Sequence, residues 1–243
     1  MSEHSVLRTR YLVFVRGLRR NVVLFMIIAA TCNSLAAAQQ SSNGSTATTP
    51  TVTFTLDFPN SNPTHYSIAV DASGQARYEC IATIADGSQA EPYRAEFVVS
   101  KANRDRIFEW AKQAKYFAGK VDSGNRKLAF TGAKVVTYQD GTHSATARYN
   151  YSNLEPVQKL TDFFQRMDGT LEYGRRLAYY HRYQKLALDA ELKQMEAQAT
   201  NGELTEIATV APVLQEIVED HSVINVVRAR AQELIALANG TEH

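Results

Sequence analysis

Cysteine is nearly absent from this sequence, with Cys32 and Cys80 the two in 243 residues. That excludes a disulfide-stapled scaffold and a zinc site built on paired cysteines. Twelve glycines and six prolines are too few for a collagenous or low-complexity chain. No succession of long apolar runs is present, which excludes a polytopic membrane protein, since each span takes roughly 18 or more apolar residues. Neither charge dominates: 26 Lys and Arg stand against 25 Asp and Glu, a formal +1. What is there, 44% hydrophobic and 9% aromatic residues, is the composition of a folded chain with a core.

The small net charge is the sum of two unlike parts. Residues 1–38 hold five Arg against one Glu, which leaves 21 basic and 24 acidic side chains for the remaining 205 residues. Arg8, Arg10, Arg16, Arg19 and Arg20 precede an apolar stretch from Val22 to Cys32, and Ala36-Ala37-Ala38 follows. A basic start, an apolar core of about 7–15 residues and a small-residue end are the parts of a secretory signal peptide. The expectation is export, with cleavage after Ala38 or one of the two alanines before it, to a periplasmic or extracellular destination. Arg19-Arg20 also resembles a twin-arginine signal, and Ala29-Ala30-Thr31-Cys32 a lipoprotein box, but neither carries its usual flanking residues. The alternative location is membrane attachment through an uncleaved or lipidated leader. Cleavage removes Cys32, so the mature chain keeps Cys80 alone, on a strand face with Tyr78, Ala82 and Ile84. That pattern predicts a buried structural thiol.

Residues 39–50 form a polar linker with no apolar period. From Thr51 the signal is strict alternation, the mark of strands with one wet face. Val52, Phe54, Leu56 and Phe58 mark the first strand, and Tyr66, Ile68 and Val70 the second. The third runs from Gln75 to Ala85, and Tyr93, Ala95, Phe97 and Val99 mark the fourth, after a turn at Asp86-Gly87. Ser100 is placed to cap a helix over about 101–118. Strands at Lys127–Gln139, bulged near Gly132, and Thr142–Tyr151 then form a hairpin about Asp140-Gly141. The order ββββ-α-ββ predicts an antiparallel α+β domain over 51–153, its sheet crossed by one helix.

Helical periodicity takes over from 154 to 238. Val157, Leu160, Phe164 and Met167 form one stripe; Tyr173, Leu177, Leu188, Leu192, Met195 and Ala199, with Gln184 as a polar interruption, form a second, rotated from the first. The rotation predicts a break near Gly169 and then a long helix over 170–200. A helix pair over 203–238 follows, kinked at Pro212 and capped again at Ser222.

The search for chemistry is mostly negative. Asp122-Ser123-Gly124 matches an aspartic-protease triplet but has no second copy, and basic residues surround it. Nucleophile-elbow, phosphate-loop and dinucleotide fingerprints are missing, and no histidine has zinc-ligand spacing. No cofactor is called for. The most unusual segment is Glu172–Lys185, where Arg175, Tyr179, Arg182 and Tyr183 share one side of a helix opposite Tyr173, Leu177 and Tyr180. Tyr and Arg favour protein interfaces, while an acidic, exported body argues against nucleic acid.

Pro63-Thr-His-Tyr66-Ser-Ile68-Ala-Val70 with Gly74-Gln-Ala-Arg-Tyr78 resembles the opening hairpin of uncharacterised secreted bacterial proteins. That resemblance implies compartment and hairpin, and no reaction. Leu214-x-x-Ile217-x-x-Asp220 with Val227-Arg228-x-x-Ala231-x-x-Leu234 resembles a single HEAT-type helical pair, with Asp220 and Arg228 bracing its turn. No second copy occurs, so no solenoid is expected.

The reading that results is an exported, non-catalytic, envelope-associated interaction module. It would use the Thr-rich sheet face or the Arg/Tyr helix to meet a protein partner. Two alternatives predict different geometry. An envelope hydrolase requires two or more of Asp57, His65, Asp140 and His143 to converge in a pocket, and a small-ligand binder requires an apolar cavity between sheet and helices.

Overall fold

The computed structural model describes residues 49–84 and 90–240. The leader with Cys32, most of the polar linker, the Asp86-Gly87 turn and His243 lie outside the described residues. Alternation becomes strands where it was expected. β1 (Thr51–Asp57), β2 (His65–Asp71), β3 (Gln75–Ala82), β4 (Glu91–Val98), β5 (Ala133–Gln139) and β6 (Ser144–Tyr149) form one antiparallel sheet in the order β4-β3-β2-β1-β5-β6. One face carries Val52, Phe54, Ile68, Val70, Tyr78 and Val136, all buried. Each such side chain contributes about 1.5–3 kcal/mol. The other face carries Thr53, Thr55, Ser67, Thr137 and Thr146, none of them buried. Its hydroxyls pair laterally, Thr55 with Ser67 at 3.2 Å and Thr137 with Thr146 at 3.0 Å.

Two helices, not one, cover the apolar face. α1 (Lys101–Gln113) begins as predicted, with the Ser100 hydroxyl accepting from the Asn103 amide, and buries Ile107 and Ala111. It stops short of 118 because Lys115, Tyr116 and Phe117 take positive φ of 53°, 54° and 66°. That left-handed turn costs roughly 1–2 kcal/mol per residue, against which Phe117 is buried and the Tyr116 ring packs 4.5 Å from Tyr138. The second cover is the first half of α2 (Glu155–Tyr183), where Phe164 stacks on Phe54 at 5.4 Å.

α2 corrects the expected break at Gly169: its 29 residues run through that position without interruption. The apolar stripe rotates because the helix changes partners. Val157, Leu160, Phe164 and Met167 belong to the sheet core, whereas Tyr173 and Leu177 belong to a second core with α3 (Leu188–Thr200), α4 (Ala211–Glu219) and α5 (Asn225–Gly240). The two cores therefore meet within α2 and not at residue 153. Gly169 and Gly174 serve close approach. A Cβ at Gly169 would meet Leu204 Cδ2 at 3.2 Å, and one at Gly174 would meet Val210 Cγ1 at 2.5 Å. The real interruption is at Gln184, followed by a tight turn over Lys185–Ala187.

Three further expectations change. The chain before Ala133 is irregular, because Gly132 turns there with φ +97° against Leu56. Pro212 kinks nothing, since it lies in the first turn of α4, where its missing N–H is harmless. Ser222 does not cap α5, which starts at Asn225; its hydroxyl donates to Asp220 Oδ1 at 2.7 Å.

Candidate functional site

α2 positions every side chain of interest, because its sheet-facing stripe continues beyond the sheet. Leu160, Phe164, Asp168, Glu172, Arg175, Tyr179 and Arg182 follow one another at steps of three or four, so they lie along one face. The stripe is apolar over β1, ionic where it crosses β3, and aromatic and cationic after that.

At the crossing, β3 presents Tyr78 and Cys80 inward. The Tyr78 phenol lies 2.7 Å from Asp168 Oδ1 and 2.9 Å from Glu172 Oε1. Cys80 Sγ donates to Glu172 Oε1 at 3.3 Å. Arg175 donates through Nε at 3.0 Å and Nη2 at 2.7 Å to the two oxygens of Glu172, and through Nη2 to the Thr83 carbonyl at 3.0 Å. Glu172 and Arg175 are only 3% and 6% exposed. Burial pushes the Cys80 thiol up to about 12 and the Tyr78 phenol well above its ordinary range. Burial, reinforced by the neighbouring Glu172 charge and opposed by the Tyr78 hydrogen bond, pushes Asp168 up to about 8. The thiol is thus buried and protonated, the expected structural cysteine.

This geometry corrects the reading of Arg175 as part of an open face. Periodicity put it on the same side as Tyr179 and Arg182, which holds, but the sheet still covers that side at residue 175. Farther along the same side come Tyr179, Arg182 and Tyr183. Tyr179 packs on Tyr183 with ring centroids 5.0 Å apart, and the Arg182 guanidinium lies 5.4 Å from the Tyr183 ring centre. Arg182 is exposed, and among the described residues it enters no ion pair. Tyr183 is 62% exposed, and Leu186, in the turn that follows, is 97% exposed.

The turn is held, not loose. His181 Nε2 lies 2.9 Å from Asp220 Oδ2, and Lys185 Nζ donates to that same oxygen and to Ser222 Oγ, both at 2.5 Å. The Lys185 ammonium, followed by the Ser222 hydroxyl and amide, holds the Asp220 carboxyl well below the usual carboxylate range. Asp220 thus braces the helix pair as expected and also fastens it to the end of α2. Ile224 and Val226, 62% and 53% exposed, lie just beyond the clasp.

The two histidine–aspartate pairs form, but apart. His65 Nδ1 is 2.5 Å from Asp57 Oδ1, and His143 Nδ1 is 3.0 Å from Asp140 Oδ2. Asp57 pairs in register with His65 and Ala133, whereas Thr51 pairs with Gln139, so the two sites stand at opposite ends of the sheet. None of the three described grooves is lined by either pair. The largest, about 780 Å³, runs between Ser100, Asn103 and Arg106 of the α1 start and Ala199, Glu206 and Ala238 of the helical part. It is an open groove whose polar end is filled by the protein itself. Glu206 accepts from Ser100 Oγ at 2.7 Å and Asn103 Nδ2 at 2.6 Å, and so caps α1. Among the described residues no group of His, Cys, Asp and Glu could hold a metal ion. No described helix is long and apolar enough to cross a membrane.

Sequence reasoning missed the roles of Asp168, Glu206 and Leu186, and had Glu172 only as the start of the Arg/Tyr segment. A signal for the two acids existed: both occupy positions of the apolar stripe, where an unpaired carboxylate would be costly. For Glu206 and Leu186 no local pattern distinguishes them from ordinary surface residues. No protein-family model and no curated protein matches the chain.

Proposed function

We propose that this chain is an exported, envelope-associated protein-interaction module whose contact surface is the overhanging end of α2. The observation that carries the reading is Leu186, 97% exposed on a turn clasped by Asp220. An aliphatic side chain displayed on ordered backbone gains about 1.5–3 kcal/mol when a partner covers it. Because the clasp has already ordered the turn, little conformational entropy is lost on binding. Shortly before it in the chain come Tyr179, Tyr183 and Arg182, which enters no ion pair among the described residues; Tyr and Arg are the residue types that dominate binding hot spots. Export rests on the leader, whose basic start, apolar core and Ala36-Ala37-Ala38 end match a signal peptide.

The test is capture of envelope proteins by the tagged chain and by a variant carrying Tyr179→Ala, Arg182→Ala, Tyr183→Ala and Leu186→Ser. The variant is expected to lose the partner with its melting temperature unchanged. Undiminished capture refutes the assignment. Arg175 is left intact, because removing it would strand the buried Glu172 charge and unfold the crossing for unrelated reasons.

A further inference from the structure

The phenol of Tyr78 has one proton and two carboxyl neighbours, at 2.7 Å and 2.9 Å. It can donate to one of them. With both acids ionised, the other contact would set a carboxylate oxygen against a phenol oxygen at hydrogen-bond distance with no proton between them. A second proton therefore belongs in the cluster, and the surroundings of the two acids say which one holds it. Glu172 accepts from Arg175 Nε and Nη2 and from the Cys80 thiol, and Arg176 Nη1 stands 3.9 Å away. It is the natural anion. Asp168, by contrast, has no cation within ion-pair distance among the described residues.

We propose that Asp168 is a neutral carboxylic acid that donates to Tyr78 Oη while Tyr78 donates to Glu172, so that the chain Asp168–Tyr78–Glu172–Arg175 is a proton-operated join between the sheet and α2. Protons and charges balance: Asp168 and Tyr78 each keep one proton, and the Glu172 anion faces the Arg175 cation. Loss of the Asp168 proton leaves a second anion one helical turn from Glu172 and a phenol proton contested by both. The groups that face Asp168 supply no spare cation. They are Tyr78 from β3, Tyr66 from β2, and Glu172, Arg175 and Arg176 from α2, with Cys80 of β3 against Glu172 and Tyr93 of β4 beside Cys80. Tyr66 is itself a buried hydroxyl without a hydrogen-bond partner among the described residues.

The direction of the pH effect follows. Between the ordinary aspartate range and about pH 8 the unfolded chain has lost this proton and the native chain keeps it. Stability therefore falls as pH rises across that window and levels off above it. Asp168→Asn removes the titration and keeps an N–H donor for Tyr78 Oη.

The experiment is carbon-13 NMR of the Asp168 carboxyl in the full chain, assigned by its loss in Asp168→Asn, with thermal melts of both proteins from pH 5 to pH 9. A carboxyl protonated at pH 7 is expected, together with a melting-temperature advantage of the variant that grows with pH. A carboxyl ionised at pH 7 overturns the proposal. A variant destabilised by the same amount at every pH overturns the join even if the proton is present. Neither readout depends on a partner, so the proposal fails or stands separately from the interaction surface.

Discussion

Glu206 offers a perturbation whose size can be worked out from the structure. It holds a left-handed backbone, φ +55° and ψ 41°, before the turn that leads into α4. From there its carboxylate reaches the start of α1 and accepts from the Ser100 amide at 3.1 Å, the Ser100 hydroxyl at 2.7 Å and the Asn103 side chain at 2.6 Å. Hydrogen bonds to a charged group contribute about 1.5–3 kcal/mol each when buried. This site is half-buried and water replaces part of what is lost, so about 2–3 kcal/mol for the whole set is a reasonable figure. A Cβ in the left-handed region costs roughly 1–2 kcal/mol. Glu206→Ala loses the bonds and keeps that strain, giving a loss of about 2–3 kcal/mol. Glu206→Gly loses the bonds but relieves the strain, less the extra chain entropy of glycine, and should be about 0.5–1 kcal/mol better than alanine. Glu206→Gln keeps one acceptor and should be the mildest of the three. Urea denaturation at pH 7 should therefore rank wild type above Gln, then Gly, then Ala. Alanine within 0.5 kcal/mol of wild type, or glycine below alanine, would refute the reasoning.

Two further outcomes test the fold around α2. Gly174→Ala forces a Cβ to within 2.5 Å of Val210 Cγ1, and overpacking of about 1–3 kcal/mol should outweigh the gain of about 0.5–1 kcal/mol in helix propensity. Gly169→Ala meets only the end of Leu204 at 3.2 Å and should be neutral or stabilising, so thermal melts should separate the two. A stabilised Gly174→Ala would contradict the described contact. For Cys80, peptide mapping after exposure to a thiol reagent at pH 8 should find no label in the native chain and full label after unfolding, because the thiol is 2% exposed and pushed up to about 12. Rapid native labelling would show the crossing to be open.

The strands were legible because one-sided burial imprints a period of two. Val52, Phe54 and Leu56 could hardly face anywhere but a core, and Ser100 announced α1 through its cap. The course of α2 was not legible for a definite reason. A helix that passes from one core to another rotates its apolar stripe, and so does a chain that breaks. Only the contacts of Gly169 and Gly174 distinguish the two cases. Periodicity gives the side of a helix on which a residue lies, not how far the neighbouring layer extends along it. Tyr179, Arg182 and Tyr183 share that side with Arg175, and Arg175 alone of the four is buried. The Asp168–Tyr78–Glu172 cluster joins positions 90 and more residues apart, a separation no local pattern spans.

The measurement that bears most directly on the proposed role is site-specific photocrosslinking in cells that export the chain. One probe would replace Leu186 in the turn after α2, and another Thr146 on the open sheet face. A discrete crosslinked product from position 186 and none from 146, lost when Arg182→Glu is added, is the predicted result. A product from 146, or none from 186, would contradict it.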